Sequence, residues 1–379
     1  MQPLSITESE HGIVMSHPGA DRIPEAVAYA RRLGMRSQHY GWPGVTRTLE
    51  GDILVSASER VQHVDPYGRE VIARSTDGGR TWGEPQVIFD SISDDRDHAL
   101  NTLPDGTIVS TWFTSMAWAH PDRLQPEWRD KLAALNPDTL QALSRGWLRR
   151  SHDGGRTWEE KVYPTIVGQH AGPNVMSNGD LVYCGPYRDE SGPSLVATKS
   201  TDGGRAWAIT GEIPCPTVRN DRTGDLSTLL NESHALEIEP EHILCVFRGS
   251  SGRYNIRFTR SYDGGRTWSE PEEIGVHGYP SYLVRLQAGP ILCVFGDRRP
   301  PRAIRGLLSY DEGVSWDSAR VLTIREFAYK ADMGYPVALE CAPNEILCVY
   351  YSVPGPECEG YESLDPREAG ILSTRFRLA

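Results

Sequence analysis

The sequence predicts an all-β fold, a six-bladed β-propeller with one partly helical insertion in blade two. Two observations carry that prediction. An octet of the form Ser-x-Asp-x-Gly-x-Thr-Trp recurs five times with small variations, beginning at Ser75, Ser151, Ser200, Ser261 and Ser309. A short apolar run recurs six times, at 53–57, 108–112, 181–184, 243–247, 291–295 and 346–350. Self-similarity at a period of tens of residues marks a repeat architecture. Four short antiparallel strands per repeat make a propeller blade, and six blades close a ring with no exposed sheet edge.

Each octet reads as a tight turn. Its Asp can accept hydrogen bonds from backbone N–H groups further along. Its Gly permits positive φ, and its Trp can fold back as an apolar plug. The key residues are Asp77/Gly79/Trp82, Asp153/Gly155/Trp158, Asp202/Gly204/Trp207, Asp263/Gly265/Trp268 and Asp311/Gly313/Trp316. Five copies with one composition read as scaffold. The six apolar runs are taken as the innermost strands of the blades. Further strands follow at 70–74, 194–199, 255–260 and 304–308, and a short outer segment at 86–89 comes after the first octet. The sixth unit lacks an octet, and its later strand is 370–377.

The chain of 379 residues carries a formal charge of −12 and shows no basic stripe, which argues against nucleic acid as a partner. No apolar run reaches the length of a membrane span, so no membrane partner is expected. Cys245, Cys293 and Cys348 each occupy the same place in an Ile-Leu-Cys-Val stretch. That placement reads as a small buried residue rather than a disulfide, and with it a reduced, cytoplasmic setting.

Residues 1–41 read as an extension with a strand at 13–15, which could close the ring, and a short helix at 23–33. Residues 42–379 form one propeller domain. Its largest departure from period, 113–147, holds Trp118, His120, Trp128 and a helical stretch, 128–144. Insertions in repeat proteins often map to the binding face or to an oligomer contact.

The segments entering the apolar runs are polar. They bring His39, Trp42, Asp95, Arg96, Asp97, His98, His170, Glu232, His234, His277, Tyr279, Asp332 and Tyr335. Five of the eleven histidines fall there, yet none forms a compact ligand pair, so no metal and no other cofactor is expected. The loops after the apolar runs bring His63, Arg188, Arg253, Arg298 and Arg305, together with Glu357, Glu359 and Tyr361. Arginine matches a carboxylate bidentately. Asp97 is the proton-donor candidate, because Asp95 nearby and partial burial would raise its pKa. Glu232 is the second carboxylate, and Tyr335 could act as nucleophile with Glu232 as its base. His98 and His234 complete the catalytic set. His39, Trp42, His63, Arg96, His170, Arg188, Arg253, His277, Tyr279 and Arg298 are the substrate-binding candidates.

The octets resemble the Asp boxes of the bacterial neuraminidase repeat superfamily, and from Trp42 onward the chain resembles sialidase-like six-bladed propellers. That resemblance implies a site on the face opposite the Asp boxes, with an Asp acid/base, a Tyr/Glu nucleophilic pair and arginines on a sugar carboxylate. Asp97, Glu232, Tyr335 and Arg298 match those roles by blade position and residue type. Sialidases carry a Phe/Tyr-Arg-Ile-Pro motif before blade one, and here Arg22-Ile23-Pro24 is similar but precedes a helix. The leading expectation is an exo-acting glycoside hydrolase on a terminal acidic sugar of sialic or uronic type. A polysaccharide lyase using His and Tyr on a uronate is the first alternative. A carbohydrate-binding propeller without catalysis is the second.

Overall fold

A computed structural model describes residues 4–16, 23–28, 39–136, 138–139, 142, 145–219, 224–250, 254–327, 331–354 and 369–379. Blade one is β2 (His39–Arg47), β3 (Ile53–Arg60), β4 (Arg69–Ser75) and β5 (Gln86–Phe89). Blade two is β6 (Asp94–Thr102), β7 (Ile108–Ser115), β8 (Gly146–Ser151) and β9 (Tyr163–Thr165). Blade three is β10 (Asn174–Val175), β11 (Leu181–Asp189), β12 (Gly192–Ser200) and β13 (Ala208–Glu212). A small hairpin, β14 (Thr217–Arg219) and β15 (Leu226–Thr228), leads into blade four. That blade is β16 (Leu230–Glu239), β17 (His242–Gly249), β18 (Asn255–Ser261) and β19 (Glu272–His277). Blade five is β20 (Ser281–Arg285), β21 (Ile291–Asp297), β22 (Arg302–Ser309) and β23 (Leu322–Phe327). In these five blades the strands pair in chain order, antiparallel throughout.

Blade six closes the ring. Its order is β24 (Ala331–Ala342), β25 (Glu345–Pro354), β26 (Gly370–Leu378) and then β1 (Ile6–Ser16). The strand from the start of the chain is therefore the outermost strand of the last blade. Its end is fastened by paired backbone bonds between Ser5 and Ala379.

One sequence expectation needs correcting. The six apolar runs lie on β3, β7, β11, β17, β21 and β25, the second strands, not the innermost ones. Second strands are covered on both faces by neighbouring blades, so they read as unbroken apolar runs. Val55, Val109, Val182, Cys245, Cys293 and Val349 are accordingly fully or almost fully buried. The innermost strands are β2, β6, β10, β16, β20 and β24, which are the polar entering segments.

The five octets do form the turns expected of them. In the second, Asp153 Oδ1 accepts from the backbone of Arg156 and Thr157 at 2.9 and 2.8 Å, and its Oδ2 accepts from Thr157 Oγ1 at 2.6 Å. Ser151 Oγ donates to Asp153 and accepts from Gly155 N. Gly155 sits at φ 81°, and a Cβ there would lie 2.7 Å from Leu54 Cδ1 in blade one. Gly204, Gly313 and Gly79 meet Leu148, Leu244 and Leu347 in the same way. The turn therefore wedges each blade against the one before it.

The insertion packs as a small second core. Trp118 and Trp128 cross edge to face at 6.2 Å and are buried with Ile23, Ala26, Val61 and Leu135. Its α-helix, α1, spans Arg129–Ala134, within the helical stretch expected at 128–144. Of the expected 23–33 helix, a 3-10 turn at Pro24–Ala26 is described, and residues 29–33 lie outside the described residues.

Candidate active site

The innermost strands share a backbone feature that the sequence does not announce. Trp42, Asp97, Glu232 and Tyr335 all have positive φ, at 50°, 61°, 47° and 51°. Each falls where the pairing with the second strand slips: between Gly41 and Gly44, Arg96 and Ala99, Asn231 and His234, and Gly334 and Val337. Ala171, just ahead of β10, has φ 73°. The four slips are β-bulges, which re-aim a side chain out of the regular alternation. Left-handed backbone at a bulky or branched residue costs energy and is retained where a site needs the direction. Four blades thus turn Trp42, Asp97, Glu232 and Tyr335 toward one another.

Tyr335 Oη donates to Glu232 Oε1 at 2.6 Å. Arg248 donates to the other carboxylate oxygen of Glu232 and to Tyr335 Oη. Burial drives the Tyr335 phenol well above its ordinary pKa, Glu232 adds to the shift and Arg248 opposes it. The phenol therefore stays protonated until a base takes its proton, and Glu232 is the base in contact with it. Asp97 is close enough to both that their charges act on each other. Burial pushes the Asp97 carboxyl up to about 7; Arg96 opposes the shift and Glu232 adds to it. His170 packs edge-on against Tyr335 at 4.8 Å, and burial lowers its pKa to about 3, so it is neutral.

Two arginines stand on one ring. The guanidinium carbons of Arg298 and Arg248 lie 4.4 and 5.2 Å from the centre of Tyr279. Arg298 also reaches Asp332 at 3.0 Å, Tyr351 Oη at 3.1 Å and the Met333 carbonyl at 2.8 Å. Asp332 is bonded to His63 Nδ1 at 2.6 Å and accepts from Tyr351 Oη at 2.7 Å. Burial alone would raise the Asp332 pKa; the bond from His63 and the charges of His63 and Arg298 outweigh it and hold the group ionised. Trp42 touches both sets. Its ring meets His63 at 5.2 Å and Tyr335 at 6.3 Å, and Arg96 and Arg60 lie over it at 4.3 and 4.6 Å. His39 stacks beside it, 5.9 Å from Trp42 and 6.0 Å from Tyr351.

Other sequence candidates fall elsewhere. His98 follows a bulge residue, so it points the opposite way from Asp97. Its ring is buried between blades, bonded to Ser110 Oγ at 2.7 Å and 3.2 Å from Glu70. His234 likewise turns from the axis, accepting from Leu283 N at 3.0 Å and stacking on Tyr282 at 3.8 Å. Burial lowers both histidines to about 3 and keeps them neutral, so as catalytic groups they are replaced by a packing role. Arg188 is exposed and donates to the Leu226 carbonyl, tying blade three to the β14–β15 hairpin. His277 lies with Asp297 at 3.6 Å and edge-on to Tyr279 at 5.9 Å. Arg305 serves its own blade, bonded to Thr323 and the Pro301 carbonyl. Arg253, Glu357, Glu359 and Tyr361 lie outside the described residues.

Sequence reasoning did not single out Arg248 and gave no role to Asp332 or Tyr351. A signal existed for Arg248, which directly follows the apolar run of β17 and pairs in register with Asn231, next to Glu232. Among the described residues no group of His, Cys, Asp and Glu side chains is arranged to hold a metal ion, and no helix is long and apolar enough to cross a membrane.

Ring closure, five Asp boxes and a polar axial face define the class, a six-bladed propeller of the sialidase superfamily. The chain belongs to the BNR repeat-like domain family, whose profile matches residues 133–345. It is similar to a sialidase of Micromonospora viridifaciens, at 48% identity over 61% of this chain and 36% of the relative. A sialidase of Bacteroides fragilis (strain YCH46) is 24% identical over 64% of this chain and 46% of the relative. The chain thus spans less than half the length of these curated relatives. A crystal structure of a protein of unknown function from Dyadobacter fermentans superposes over the full length of both chains, with TM-score 0.73 and 21% identity. That likeness is one of fold.

Proposed function

We propose that the protein is a retaining exo-glycosidase acting on a terminal acidic sugar. The observation that carries the proposal is the contact of Tyr335, Glu232 and Arg248, with Arg298 beside Arg248 on Tyr279. Two guanidinium groups on one ring make a cradle for a carboxylate. Tyr335 attacks the anomeric carbon while Glu232 takes its proton, and Arg248 holds the carboxylate that does so. Two successive displacements at one carbon retain its configuration. Asp97, protonated up to about pH 7, donates a hydrogen bond to the sugar from the pocket floor. The named activity of the two sialidase relatives supports a sugar substrate. Among the described residues Arg248 and Arg298 form the cradle, and a carboxylate is common to uronic and sialic acids, so either suits it.

The experiment is a panel of methylumbelliferyl glycosides: an α-sialoside, a glucuronide, a galacturonide and a neutral arabinofuranoside. The reading expects turnover of an acidic member and retention at the anomeric carbon by NMR. Turnover of the arabinofuranoside alone would overturn the acidic-sugar reading, and an unsaturated product would move the protein to lyase chemistry. Binding without turnover would leave a lectin-like propeller.

A further inference from the structure

We propose that His63, held by Asp332, is the acid/base that serves the leaving group, and that Asp97 is not. The proposal rests on the glycosidase reading above. An exo-acting site takes the terminal sugar into its floor, and the aglycone departs toward solvent. The proton donor must therefore stand at the mouth. Asp97 is 6% exposed, whereas the His63 side chain is 52% exposed.

An exposed histidine on a loop ordinarily samples many orientations. His63 is held by its backbone and by one ring nitrogen. Asp65 accepts backbone hydrogen bonds from Val61, Gln62 and Tyr67 at 3.1, 2.8 and 2.7 Å and closes the loop that carries it. The His63 carbonyl accepts from Arg60 and Arg96 at 3.3 and 3.4 Å. Its ring stands edge-on to Trp42, and its Nδ1 is bonded to Asp332. Asp332 is itself held by Arg298 and Tyr351. A carboxylate on Nδ1 fixes the tautomer and the ring orientation, which leaves Nε2 to exchange a proton. The same Arg298 stands at the sugar cradle, so the dyad is built onto the substrate-binding wall. Gly68 closes the construction, since a Cβ there would collide with Arg60 and Asp94.

The step balances as follows. The Tyr335 oxygen bonds to the anomeric carbon as its proton passes to Glu232. The bond from that carbon to the aglycone oxygen breaks, its electron pair stays on the oxygen, and His63 Nε2 supplies the proton. In the second displacement neutral His63 takes a proton from water, and the water oxygen bonds to the anomeric carbon. The Tyr335 oxygen departs with its pair and regains its proton from Glu232.

The test compares wild type, His63→Ala and Asp97→Asn on methyl and dinitrophenyl glycosides of the sialic and uronic acids. A departing dinitrophenolate needs no proton, whereas a methoxide does. For His63→Ala, kcat/KM on the methyl glycoside should fall about 10²- to 10⁴-fold, with a far smaller loss on the dinitrophenyl glycoside. Sodium azide should speed that variant on the dinitrophenyl substrate and give a glycosyl azide. Asp97→Asn should lose similarly on both. If His63→Ala lost nothing, or lost equally on both leaving groups without azide rescue, the proposal would fail while the glycosidase reading stood. If wild type turned over neither glycoside, the glycosidase reading would fail and the proposal with it. His63 is half-exposed, and equal melting temperatures of variant and wild type would separate lost chemistry from lost fold.

Discussion

The Asp-box turns and the inner-strand bulges are two repeats in one molecule, and they have opposite relations between sequence and backbone. The five turns keep both. In each, Ser and Asp side chains bind the same backbone groups, and a positive-φ glycine abuts the neighbouring blade. The bulges keep a positive φ but change the residue: Trp42, Asp97, Glu232 and Tyr335 are four different side chains. Where the repeat's work is to hold blades together, one composition suffices. Where the strand ends converge on the axis, blades one, two, four and six each supply a different chemical group. Positive φ at a residue other than glycine is costly there, and the mutual contacts of Tyr335, Glu232 and Arg248 help to hold it.

The largest effect is expected at the bulges. Tyr335→Phe keeps the ring packing against His170 and Trp42 and removes only the hydroxyl. It should lower kcat by on the order of a thousandfold or more, with the melting temperature little changed. A variant retaining a tenth of wild-type kcat would place the nucleophile elsewhere.

The opposite pattern is expected at the Asp boxes. Gly155→Ala places a methyl group 2.7 Å from Leu54 Cδ1 at a φ of 81°. It should destabilise by about 1–3 kcal/mol and leave kcat/KM unchanged below the new melting temperature. A loss of turnover in the folded variant would tie the Asp-box face to the chemistry.

The smallest effect is a change of slope with pH. The Asp97 carboxyl has an unfolded pKa near 3.8 and is pushed up to about 7 by burial. The folded state therefore binds the extra proton between those values. Its contribution to stability is full below the lower pKa and is lost as pH rises through the upper one. Asp65, at about 6, and Glu70 and Asp95 are shifted the same way by burial. Asp97→Asn should therefore lessen the fall in melting temperature over that window without abolishing it. An unchanged slope would show that Asp97 is ionised in the fold.

The blade count was legible because the second strands are buried on both faces and the Asp boxes recur in phase with them. Their burial also misled. An unbroken apolar run looks like the centre of a ring, but the strand beside the axis carries polar groups such as Asp97 and Glu232 and so has a mixed sequence. Asp97, Glu232 and Tyr335 could be read from residue type and blade position. The inverted direction of His98 and His234 could not, because a bulge of one residue exchanges the two faces of a strand. His63 read as a substrate-binding candidate on the loop after the first apolar run. Its link to Asp332 joins blades one and six across 269 residues of sequence, a contact that ring closure alone creates.

The most direct test of the account is covalent trapping. Wild type would be incubated with a fluorinated glycosyl fluoride of the acidic sugar it turns over, digested and mapped by mass spectrometry. The account predicts one sugar per chain, on the Tyr335 peptide. An adduct on another residue, or no adduct together with inversion at the anomeric carbon, would contradict it.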